Sequence, residues 1–166
     1  MANLETRWAP EIRVDADKRM ITGTVMVYGD RADIAGIFKE SFMPGAFEHS
    51  DTILNLQHQR SKPVSREGAG MVLDGGGNKL SMRAEIAKTR DGDEAIELVQ
   101  ARILQGLSVE FRAIDEEWHR DGAERIIRRA KLSGLALVDR PAYPQSSVDI
   151  RQAYMELHSP RVFYYL

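Results

Sequence analysis

The sequence predicts a mainly β fold with helices (α+β): about six or seven short strands forming an antiparallel sheet or closed barrel, with helices packed outside. Three observations carry this expectation. β-branched or alternating stretches are separated by Gly- and Pro-containing turns, as in MITGTVMVY (20–28), ILNLQH (53–58) and KLSGLALV (131–138). Only one segment has a clear helical period. No strand–helix–strand unit repeats along the 166 residues, a length that suits one domain.

Taken in order, residues 20–28 read as a strand bent at Gly23, and FMPGAF (42–47) as a Pro-Gly turn between two phenylalanines. Residues 53–58 read as a short strand ending on His58. Glycines at 68–70 and 75–77 bracket MVLD ahead of KLSMRAEIA, the pattern of a hairpin. The helix follows: Asp91 as cap with Glu94 three residues on, Ile96, Val99 and Ile103 along one face, and Gly106 as its stop. In LSVEFRAI (107–114), Leu107, Val109, Phe111 and Ala113 then alternate with Ser108, Glu110 and Arg112. A last strand over 131–138 runs into the turn DRPAYP. The expected division is a domain over residues 1–150 and a tail over 151–166 that ends in FYYL. An apolar end of that kind suggests docking on the domain, on a second copy or on a partner, or a remnant of self-cleavage.

Composition narrows the function classes. Hydrophobic residues make up 43% and charged residues 29%, and the chain has no cysteine, so neither a disulfide frame nor a thiol nucleophile is expected. No apolar run approaches the roughly 20 residues of a membrane span, and the N-terminus lacks the apolar centre of a secretion signal. Net charge is −2, and the one basic cluster (Arg125, Arg128, Arg129, Lys131) alternates with apolar residues. Neither feature has the footprint of a nucleic-acid partner. His49, Asp51 and His58 match no zinc spacing, and GAGMVLDGGG lacks the Lys-Ser/Thr ending of a phosphate loop. No metal and no small-molecule cofactor are expected.

Two residues stand out as candidates for chemistry. Ser108 lies on the polar phase of a strand whose alternate residues are apolar, which would hold its hydroxyl rigidly. A solvated surface serine is the plainer account of that position. His58 is the one histidine closing an apolar strand pattern; His119 and His158 sit in charged segments, and His49 follows a turn. A neutral imidazole there could accept a serine proton, or serve as a hydrogen-bonded structural histidine.

Five segments in order (GTVMVY, FMPGAF, LNLQH, GLSVEF and LALVDRPAYP, spanning Gly23 to Pro144) resemble the phage prohead protease family. Its fold is similar to that of the herpesvirus assembly protease. The resemblance implies a closed β-barrel surrounded by helices, with a His and a Ser, in that chain order, falling on His58 and Ser108. It implies an endopeptidase that cuts the scaffold segment of the major capsid protein precursor, and itself, during procapsid maturation. The setting implied is the bacterial host cytoplasm, inside the immature capsid, with self-association possible. The rival reading is a protease-fold module without catalysis, serving as scaffold or capsid-binding element.

One departure from the family pattern stands out. The usual pattern carries a carboxylate at the position of Gly134 and a glycine two residues after the serine; here Gly134 and Glu110 exchange those places. Glu110 shares the face of Ser108, so it is expected to orient His58, with Asp139 in reserve. The turn at Asp139–Ala142, with Arg140, is the expected source of oxyanion donors.

Overall fold

The computed structural model describes residues 4–9, 12–34, 36–119 and 121–139. The proposed tail, Arg140 and His158 lie outside them.

Two long strands organise the sheet. β11 (Gly106–Trp118) and β12 (Glu124–Val138) run antiparallel from Gly106↔Val138 to Trp118↔Arg125. Along its other edge β12 takes three short strands in parallel, end to end: β5 (Phe38–Phe42), β6 (Phe47–Glu48) and β7 (Ile53–Leu56). The turn between β5 and β6 is tied to β12 by Met43 N–H to Ile127 O (2.9 Å) and Ala130 N–H to Ala46 O (2.8 Å). β8 (Gln59–Glu67), β9 (Gly70–Asp74), β10 (Lys79–Glu85), β3 (Met20–Val27) and β2 (Ile12–Asp15) continue the sheet from β7. β1 (Glu5–Ala9) pairs with the outer edge of β11, and β4 (Ala32–Ile34) with β5.

This architecture corrects the expectation of a closed barrel of six or seven strands surrounded by helices. The described residues form twelve strands in one curled, open half-barrel sheet and a single helix. The curl brings β3 near β1 and β11, but the strand order ends in two edges, β1 and β2, which do not pair with each other among the described residues. The core is built mainly from the sheet's own side chains, with Ala95, Ile96 and Val99 of the one helix packed into it. Phe42 and Phe47 stack with centroids 5.0 Å apart, and Phe111 meets them edge-on at 5.3 and 5.9 Å. Leu54, Leu107, Val109, Leu135 and Leu137 are fully buried around them.

Local details differ from the sequence pattern for identifiable reasons. α1 (Arg90–Gln100) is capped by Thr89, whose hydroxyl accepts from Gly92 N–H at 3.1 Å; Asp91 sits inside the first turn. Gly92 is required there, because a Cβ would lie 1.9 Å from the Ala87 carbonyl oxygen. The helix ends at Gln100 and Arg102 turns left-handed at φ +58°, so Ile103 is exposed and Gly106 opens β11 instead of stopping the helix. In β3 the ladder runs through Gly23 unbroken, and the irregularity falls where Leu80↔Met26 gives way to Ser81↔Thr24.

A buried ion cluster fastens β1 to the sheet. Arg125 and Glu40 are 6% and 1% exposed. Arg125 donates to Glu5 (2.5 and 2.8 Å), to Glu40 (3.0 Å) and to Glu116, while Arg7 donates to Glu40. Burial alone would raise the Glu5 carboxyl, yet the hydrogen bond and charge of Arg125 hold it below its ordinary value.

Candidate active site

Strand phase and register assemble the site on the side of the sheet opposite the phenylalanine core. On β11, Ser108 and Glu110 point the same way. Their β12 partners are Ala136 and Gly134, and Ala136 in turn pairs with Asn55 on β7. Ser108, Glu110, Gly134, Ala136 and Asn55 therefore share one face, with its smallest residues in the middle strand. The face is covered, not open: Ser108 and Glu110 are each 5% exposed, so Ser108 is not the solvated surface serine that its strand phase alone would suggest.

His58 reaches this face from a turn, not from a strand end. β7 stops at Leu56, and Gln57 and His58 have φ of +47° and +59° before Gln59 pairs back with Leu56. A two-residue hairpin loop with both φ positive is the type I′ geometry, here built without glycine at either position. Such a backbone is costly for residues with a Cβ and clusters at functional sites. Gln57 N–H to Leu137 O (2.9 Å) ties the turn to β12.

From that turn the imidazole meets the Glu110 side chain, its Nδ1–H donating to Oε1 at 2.5 Å. The Glu110 carboxylate itself lies against Gly134. A Cβ there would stand 3.3 Å from Glu110 Oε2, and Glu110 occupies the space that a side chain at 134 would need. The hydrogen bond from His58 and, more weakly, the charge of Arg60 (3.7 Å from Oε2) hold the Glu110 carboxyl below its ordinary value against its burial. With Nδ1–H committed to the carboxylate, Nε2 carries the lone pair and can act as a base. The Ser108 hydroxyl makes no hydrogen bond among the described residues, so the serine and the His58–Glu110 pair share a face without yet being joined. Such contacts commonly tighten only when substrate binds.

The other candidates lie elsewhere. Asp139 follows β12, exposed, and makes no ion pair among the described residues; Arg140 falls outside them. His49 pairs with Glu67 (2.6 Å) and Asp51 with Arg66 (2.5 Å), and His119 pairs with Glu124 (3.4 Å). No group of three His, Cys, Asp or Glu among the described residues could hold a metal, and no helix among them is long and apolar enough to cross a membrane. Sequence reasoning passed over Asn55. Its signal was an amide between two leucines of a strand, where a buried polar group calls for an explanation.

Comparison with known proteins identifies the family. No curated protein sequence matches the chain. Among solved structures, the bacteriophage T4 capsid assembly protease superposes with a TM-score of 0.53 at 15% identity, over 84% of this chain and 97% of that one, a likeness of fold. The family model described as caudovirus prohead serine protease matches residues 7–160. The chain belongs to the caudovirus prohead serine protease family.

Proposed function

We propose that the chain is an endopeptidase using Ser108 as nucleophile, His58 as general base and Glu110 as the group that orients His58. The observation that carries this reading is the 2.5 Å hydrogen bond from His58 to Glu110, whose carboxylate lies against Gly134 on the face that holds Ser108. His58 Nε2 takes the Ser108 proton as Oγ attacks the scissile carbonyl. It then gives that proton to the leaving amine, and water releases the acyl group by the reverse sequence. Glu110 stays ionised throughout and stabilises the imidazolium. The substrate is the scaffold segment of the major capsid protein precursor, and the chain itself, cut inside the immature capsid in the host cytoplasm. Family membership supports that assignment.

Ser108→Ala tests the reading in particles. The variant should enter procapsids and leave the capsid precursor uncut, whereas the native chain processes it. Processing by Ser108→Ala would sink the assignment of the nucleophile. Uncut precursor with the native chain as well would favour the inactive scaffold module. Deleting residues 151–166 tests docking by the tail, which should lower incorporation.

A further inference from the structure

The turn that carries His58 is anchored on one side only. Leu56 ends β7 in the core, paired with Leu137, and Gln57 N–H donates to Leu137 O at 2.9 Å. Beyond His58 the return strand is loosely matched to β7. Leu56 pairs with Gln59 but Asn55 pairs with Pro63, so Arg60, Ser61 and Lys62 stand opposite no β7 residue. The direction of the imidazole is therefore set by the backbone of Gln57 and His58 themselves, whose φ values are +47° and +59°. Glycine enters that left-handed region freely, whereas a residue with a Cβ is confined to a small part of it and pays in strain. The Gln57 side chain does nothing to offset the strain: it is exposed and makes no hydrogen bond among the described residues. What a Cβ at position 57 supplies is restriction.

Resting on the assignment of His58 as general base, we propose that Gln57 is a positioning residue. Its left-handed backbone, narrowed by the Cβ, fixes the turn so that Nδ1–H stays on Glu110 and Nε2 stays free for the proton of Ser108. Glycine at 57 would relax the turn and widen the arc through which the imidazole swings. Stability would rise or hold while the chemical step slowed, the exchange expected where a site stores strain. A misplacement of about 1 Å costs about 10²-fold in rate, so a modest gain in freedom is enough to register.

The test compares Gln57→Gly, which frees the backbone, with Gln57→Ala, which removes the side chain but keeps the Cβ, in the full chain acting on a peptide from the capsid precursor. Gln57→Gly should lose about 10- to 100-fold in kcat, with KM within about threefold. It should melt no lower than wild type, because relief of the left-handed strain offsets the added freedom of its unfolded chain. Gln57→Ala should keep kcat within about threefold. The proton resonance of His58 Nδ1–H, drawn to low field by its short hydrogen bond, should be sharp in wild type and Gln57→Ala and broadened in Gln57→Gly. A loss in Gln57→Gly smaller than about tenfold overturns the proposal, as does a lower melting temperature or failure to fold. An equal loss in Gln57→Ala also overturns it, since the side chain and not the backbone would then be the cause. His58→Ala run alongside separates the two ideas: activity surviving His58→Ala refutes the base, while activity surviving only Gln57→Gly refutes the positioning role alone.

Discussion

Glu110→Gln keeps the length and shape of the side chain but removes its charge. The Nδ1–Oε1 contact is 2.5 Å, and Glu110 is 5% exposed. Taking the centres of the imidazolium and carboxylate charges as about 4 Å apart, with an effective dielectric of about 20, the attraction is about 4 kcal/mol. That attraction is complete only when His58 carries the serine proton, so it falls on the transition state. Four kcal/mol corresponds to about three decades in rate. The glutamine carbonyl can still accept from Nδ1–H, which preserves some orientation and sets the lower bound near 10²-fold; full loss of the tautomer sets the upper bound near 10⁴-fold. The expected result is therefore a kcat lower by 10² to 10⁴, with KM changed by less than about threefold. Steady-state hydrolysis of a capsid-precursor peptide, with a thermal melt of the same sample, measures both. A folded Glu110→Gln protein with kcat within about threefold of wild type would refute the role given to Glu110.

Four further outcomes follow from the same geometry. Glu110 and Gly134 are directly opposed, so the double variant Glu110→Gly/Gly134→Glu should recover at least about tenfold in kcat over Glu110→Gly alone; no recovery would show that His58 accepts a carboxylate from β11 only. Arg125→Met should lower the unfolding free energy by about 3 kcal/mol, at the lower end for broken buried pairs because Arg7 still serves Glu5 and Glu40, and a denaturant titration measures it. Glu5 and Glu110 both sit below their ordinary carboxylate values, so their contribution to stability is complete above about pH 5 and is lost as pH falls through the lowered values; Glu110→Gln should decline less steeply over that acid range than wild type, and equal slopes would contradict the linkage. Thr89→Ala should cost about 1 kcal/mol in an equilibrium melt while Asp91→Ala costs little, since the hydroxyl of Thr89 caps the helix.

The phase of β11 was legible in the sequence, because Leu107, Val109 and Phe111 alternate with Ser108 and Glu110 over a run long enough to fix which residues share a face. The covering of that face was not, since burial of Ser108 depends on elements distant in the chain. The type I′ turn at Gln57–His58 escaped notice because neither position carries the glycine that usually marks it; tertiary ties hold the left-handed backbone instead. The open half-barrel was hidden for a related reason. β12 takes β5, β6 and β7 in parallel along one edge, a pairing over large sequence separations that alternation within each strand cannot report. Arg125, Glu5, Glu40 and Glu116 read singly as solvated charges, and only their convergence makes them a buried cluster.

The opposition of Glu110 and Gly134 has a consequence for how relatives can diverge. Two cross-strand positions compete for one volume beside His58, so the pair is occupied economically by one acid and one glycine, in either order. A lineage passing between the two arrangements by single substitutions must visit either a pair with two acids or a pair with two glycines. The first crowds like charges but keeps an acceptor for Nδ1–H; the second keeps the space and leaves the imidazole without one. Ancestral sequences along such a path should therefore show the acid gained at the new position before it is lost at the old, and an alignment of relatives should show positions 110 and 134 changing together.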